Sequence, residues 1–97
     1  MSLFQDIERD IDVRARRVGG TVHLNGKMHD YPVGTEWEAV TVVPSGMRPD
    51  LATYFAGSSI GGDHVVLMDV AEDGTVYAKT MGGTVEGIMF SVSWPVA

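Results

Sequence analysis

The chain is 97 residues long, enough for one compact core and too short for a multidomain machine. It is 44% hydrophobic and 21% charged with a formal net charge of −6, which excludes a disordered tail and makes nucleic acid an unexpected partner. It contains no cysteine, so thiolate catalysis, Cys-ligated zinc and a disulfide scaffold are all closed to it.

Leu3, Ile7 and Ile11 recur at four-residue spacing among Asp6, Glu8, Asp10 and Asp12. This predicts a short N-terminal stem helix or an extended linker over residues 1–12. Met1-Ser2-Leu3-Phe4 has neither the basic region nor the long apolar stretch of a signal peptide, and no run approaches the ~20 apolar residues of a membrane helix. The expectation is a product made in the cytoplasm, with no membrane insertion.

Over residues 13–97, Gly and Pro interrupt short runs rich in Val, Thr, Tyr and Phe, the punctuation of a β domain. A two-residue turn at Gly19-Gly20 would place Val18 opposite Thr21, Arg17 opposite Val22, Ala15 opposite Leu24 and Val13 opposite Gly26. Val13, Ala15, Val22 and Leu24 then share a core face, and Arg14, Arg16, His23 and Asn25 the wet one. Arg17 is the misfit, close enough to the turn for its long side chain to reach solvent. Residues 37–43 form a β-branched run ended by Pro44, and residues 52–56, with Tyr54 and Phe55, a second strand candidate.

Residues 64–70 and 75–81 flank Ala71-Glu72-Asp73-Gly74, where Gly74 can supply the positive φ of a bulged hairpin turn. Ile88, Phe90, Val92 and Trp94 then alternate with Met89, Ser91 and Ser93 until Pro95 removes a ladder donor. This parity assigns Trp94 to the core. About seven short strands at this spacing predict an all-β fold, a small antiparallel β-sandwich or jelly-roll-like barrel.

The chemistry-bearing residues are few. His23, His29 and His64 match no metal spacing, and scattered surface histidines explain them, so neither metal nor cofactor is expected. Ser58, Ser59, Asp63 and His64 are the types of a nucleophile, base and orienter, but no Gly-x-Ser-x-Gly elbow accompanies them. Asp63, Asp69, Glu72 and Asp73 are candidate carboxylates for glycoside cleavage, although Glu72 and Asp73 are better explained by the turn.

Recognition remains. Sugars are held by aromatic faces stacked on the ring and by polar side chains bonding its hydroxyls. Trp37, Tyr31, Tyr54, Asp63, His64 and Arg48 are the candidate ligand-binding residues by type. Each also has a structural explanation: Trp37 and Tyr54 as core or subunit contacts, Arg48 as a brace between two prolines, Asp63 as a loop solubiliser.

Val42-Val43-Pro44-Ser45-Gly46-Met47-Arg48-Pro49 resembles a segment of the C-terminal head domains of phage tail proteins: Val or Leu, Pro, small, Gly, aromatic or Met, Arg, Pro. Val18-Gly19-Gly20-Thr21-Val22-His23-Leu24-Asn25-Gly26 is similar to the opening hairpin of that family. Glu72-Asp73-Gly74-Thr75-Val76 followed by Phe90-Ser91-Val92-Ser93-Trp94-Pro95 is similar to its closing one.

The resemblance covers most of the chain from Val13 onward. It implies a non-catalytic β-sandwich head that binds host cell-wall or surface polysaccharide as a homotrimer, in the virion at the phage tail tip, beside other tail or baseplate proteins. It carries no saccharide site onto named positions. Two alternatives stand beside it. One is a trimerisation or capping domain of a tail protein with no ligand of its own, and the other a small glycan hydrolase or esterase using Asp63 and His64. Burial of Trp37, Tyr31 and Tyr54 together would leave little to stack on a sugar.

Overall fold

Gly19 has φ 60°, the left-handed value required at the first central position of a type II′ hairpin turn. It joins residues 11–18 to residues 21–33 in the register expected from the glycine pair: Val18↔Thr21, Arg17↔Val22, Ala15↔Leu24 and Val13↔Gly26. Val13, Ala15, Val22 and Leu24 are all fully buried on the inner face.

The computed structural model describes residues 1–96. Its strands are β1 (Ser2–Asp6), β2 (Ile11–Val18), β3 (Thr21–Val33), β4 (Glu38–Val42), β5 (Thr53–Ser59), β6 (Val65–Val70), β7 (Thr75–Thr80) and β8 (Val85–Pro95). They form one antiparallel sheet in the order β1-β2-β3-β8-β5-β6-β7-β4. β5, β6 and β7 make a meander, with β8 beside β5 and β4 beside β7, so the meander belongs to two overlapping Greek keys. The two edge strands curl toward each other, and Thr41 Oγ1 on β4 donates to the Leu3 carbonyl on β1 at 3.4 Å. The sheet is therefore a nearly closed barrel, an arrangement that protects both edges from pairing with other chains.

The N-terminal helix expected from the Leu3, Ile7, Ile11 spacing does not form; no helix occurs among the described residues. Residues 2–6 are instead β1, paired to β2 through Phe4↔Val13, Gln5↔Asp12 and Asp6↔Ile11. Ile7 is 85% exposed in the following turn, whereas Leu3 and Phe4 pack against the core. Two isolated helical turns are marginal in water, while the edge of β2 offers a ladder of backbone partners together with apolar burial.

The inner face is continuous. Val66, Met68 and Val70 of β6, Val76 and Ala78 of β7, and Ile88, Phe90 and Trp94 of β8 are buried with the β2–β3 residues. Phe55 and Phe90 meet at 6.2 Å between ring centroids.

Residues 43–49 tie several strands together. The Val43 amide donates to the Gly74 carbonyl at 2.8 Å, and Arg48 Nε to the Val43 carbonyl at 3.1 Å. Arg17 Nη1 donates to the Gly46 carbonyl at 2.9 Å, and Trp94 Nε1 to the Met47 carbonyl at 2.7 Å. Arg17, the misfit of the first hairpin, is thus a cross-link from β2 to this segment. Gly74, with φ 89°, closes the β6–β7 turn as the left-handed residue of a bulged loop, and Asp73 Oδ1 accepts the Thr75 amide beside it.

Candidate functional site

The pleat turns Tyr54, Asp69 and Tyr77 outward, opposite in parity to the buried Met68, Val70, Val76 and Ala78. Strand register then sets them in one row, with Tyr54 opposite Asp69, Asp69 opposite Tyr77, and Tyr77 opposite Ala39 on β4. Directly opposed residues stand about 4.5–5.5 Å apart at Cβ, so the two rings flank the carboxylate. Ala39 leaves room at the end of the row, and Trp37, two residues earlier in the chain, closes it. The four side chains of Trp37, Tyr54, Asp69 and Tyr77 line a cavity of about 200 Å³.

Tyr54 is 71% exposed and Trp37 43% exposed, so their rings are open to a ligand. The Lys79 ammonium, on the same outward face of β7, lies 4.9 Å from the Trp37 ring centroid, which fixes the indole by a cation–π contact.

Asp69 is the unusual member of the group. Its Oδ1 is buried and accepts no hydrogen bond, and burial pushes its carboxyl above the ordinary carboxylate range. A group with a raised folded-state pKa contributes stability fully below its unfolded pKa and loses it as pH rises through the folded value. Asp69→Asn is therefore expected to stabilise the domain at neutral pH by about 1 kcal/mol, a rise in Tm of ~4–8 °C. The gain should vanish in acid, where both side chains are neutral. Paired thermal melts from acid to neutral pH check this; an equal or lower Tm for the variant at neutral pH refutes it.

A second, larger depression of about 480 Å³ is lined by the titratable residues His29, Asp30, Asp63, His64 and Glu86 among others. Here Ser59 Oγ donates to Asp63 Oδ1 at 2.7 Å, and His64 Nδ1 lies 3.2 Å from the same oxygen. The Ser59 hydrogen bond first, and His64 second, hold the Asp63 carboxyl below its usual range. The His64 amide also donates to Ser59 Oγ at 3.1 Å. Nucleophilic catalysis needs the imidazole between hydroxyl and carboxylate, whereas here the carboxylate is the bridge and Ser59 is only 3% exposed. The geometry is that of a staple closing the β5–β6 loop.

The remaining candidates lie apart from both depressions. Tyr31 is half-buried, edge-on to Phe4 at 6.2 Å between centroids, and burial followed by the charge of Glu38 raises its phenol pKa. Arg48 is half-buried as the brace of segment 43–49. Among the described residues, no group of three or more His, Asp or Glu is arranged to hold a metal ion.

No family model matches this chain, and no curated protein is similar to it at a significant level.

The site therefore has to be read from its own chemistry. Of the residues singled out by type, Trp37 and Tyr54 come together in the aromatic cavity, and Asp63 and His64 in the larger depression. Tyr77 and Asp69 were not among the ligand candidates. The bulged turn at Gly74 places them opposite each other, but nothing local signals that Tyr54 pairs on the far side of Asp69.

Proposed function

We propose that this chain is a non-catalytic receptor-binding head domain of a phage or prophage tail protein that recognises host-surface saccharide as a homotrimer. The observation that carries the reading is the exposure of Trp37 and Tyr54 around a recessed cavity with a carboxylate in it, because exposed aromatic faces beside a hydrogen-bond acceptor are what sugar rings stack on. The resemblance to tail-protein heads adds a second support. Its closing stretches bond to residues 43–49 here, through Gly74 and through Trp94, and Arg17, the residue just before the opening stretch, bonds to Gly46 of the same segment.

A trimer raises weak single-site binding by repetition, since linked sites on one surface polymer increase avidity by roughly 10²–10⁴. Met89 offers a surface for it. It is 48% exposed on the outer face of β8, in a shallow patch with Ala56, Gly57, Ser58 and Ser91, small residues that let a second copy approach closely.

Light scattering across a concentration series is expected to give a concentration-independent trimer, and Met89→Glu a monomer. Multivalent display on a glycan array or host-envelope preparation is expected to give binding that Trp37→Ala and Tyr54→Ala each abolish. Absence of specific binding at high valency, or binding indifferent to both substitutions, overturns the saccharide reading.

A further inference from the structure

The cavity between Trp37, Tyr54 and Tyr77 is small and carries a net charge. Its volume of about 200 Å³ falls below the ~300–1,000 Å³ of sites that engulf a drug-sized ligand, so it suits a small group such as a single substituent, with a sugar ring stacked on the exposed aromatic faces at its rim. Three aromatic side chains surround it, each with a π face that attracts a cation.

Its fourth wall is Asp69, whose Oδ1 is buried without a donor. Among the described residues Asp69 makes no ion pair. The lysine on the same face of the adjoining strand, Lys79, is placed over Trp37. A neutral hydroxyl would give Asp69 a hydrogen bond but leave its charge in a desolvated position, whereas a cation offsets the charge and engages the rings at once. The net charge of −6 also draws cationic ligands toward the surface.

We propose that the Trp37–Tyr54–Asp69–Tyr77 cavity is a binding site for an alkylammonium group, protonated or quaternary. The ammonium chemistry stands on the cavity alone; its presentation as a substituent of the host saccharide rests on the recognition reading above.

The test titrates the protein with choline chloride and with its uncharged carbon isostere, 3,3-dimethylbutan-1-ol, following the Trp37 indole N–H by NMR. The buried Trp94 indole serves as an internal reference. Choline is expected to shift Trp37 saturably and to bind at least about tenfold more tightly than the isostere. Asp69→Asn, a variant expected to be at least as stable as the parent, should weaken choline by about tenfold or more and leave the isostere unchanged. Glucosamine is expected to compete with choline, and N-acetylglucosamine, which has lost the charge, to compete far less.

Equal affinity for choline and its isostere, or full choline affinity in Asp69→Asn, overturns the proposal. The two readings separate cleanly. If choline fails while a host polymer still binds through Trp37 and Tyr54, the ammonium site falls and saccharide recognition stands. If choline binds through Asp69 while no host polymer binds at high valency, the ammonium site stands and the recognition reading falls.

Discussion

Gly74→Ala is expected to destabilise the domain by about 2–4 kcal/mol and to lower Tm by roughly 10–25 °C. Two effects combine. The residue sits at φ 89°, where an L side chain is strained by about 1–2 kcal/mol. A Cβ there would also meet the Val43 carbonyl oxygen and come within 2.8 Å of Arg48 Nε, the two groups that hold segment 43–49 in place.

Neither neighbour can move freely, because the Val43 amide is bonded to the Gly74 carbonyl and Arg48 to the Val43 carbonyl. Gly46→Ala provides the comparison: Gly46 has φ 88°, but a Cβ there meets nothing within 4 Å, so only the backbone strain applies. Thermal melts followed by far-UV circular dichroism should place Gly74→Ala well below Gly46→Ala. Equal losses would show that close approach to segment 43–49 contributes nothing.

Trp94→Ala acts on the same interlock from inside the barrel. Trp94 is 3% exposed, and its indole donates to the Met47 carbonyl at 2.7 Å. Truncation leaves a cavity and an unsatisfied carbonyl, an expected loss of about 3–5 kcal/mol. A domain of this size has a total stability of roughly 5–15 kcal/mol, so the variant should sit near its unfolding threshold. Trp94→Phe keeps most of the apolar volume and should lose much less, with the missing hydrogen bond accounting for about 1 kcal/mol. Urea midpoints of the three proteins measure both steps. A loss below about 1 kcal/mol for Trp94→Ala would mean that the ring neither fills the core nor pins segment 43–49.

Both positions act on segment 43–49. Gly74, Arg48, Met47 and Trp94 are each engaged in holding the barrel together. The cavity residues Trp37, Tyr54, Asp69 and Tyr77 take no part in those contacts.

Asp69 carries the opposite signature. A buried carboxylate oxygen without a donor opposes folding, and a position where stability is given up beside three aromatic rings is where a binding role is expected. Asp63 Oδ1, by contrast, is engaged by both Ser59 and His64. Residue type alone singled out Asp63 and His64 and passed over Asp69 as a ligand group, because type says nothing about which carboxylate finds a partner.

The sequence by itself determined the all-β character, the register of the first hairpin, the position of the β6–β7 turn, and the buried face of β8. Each follows from a period of two or from a glycine whose φ selects the turn, and both are set within a few residues of chain. The helical spacing of Leu3, Ile7 and Ile11 misled because that local preference is weak and the edge of β2 outcompeted it.

Only the tertiary structure decided that β4 lies beside β7, that β8 lies between β3 and β5, and that the sheet curls into a barrel. Pairing between strands distant in the chain depends on packing that many partners satisfy almost equally until the whole core is assembled. The cavity is a product of those distant pairings: Tyr54, Asp69, Tyr77 and Trp37 come from or adjoin four different strands, and only closure of the β5-β6-β7-β4 row brings them together.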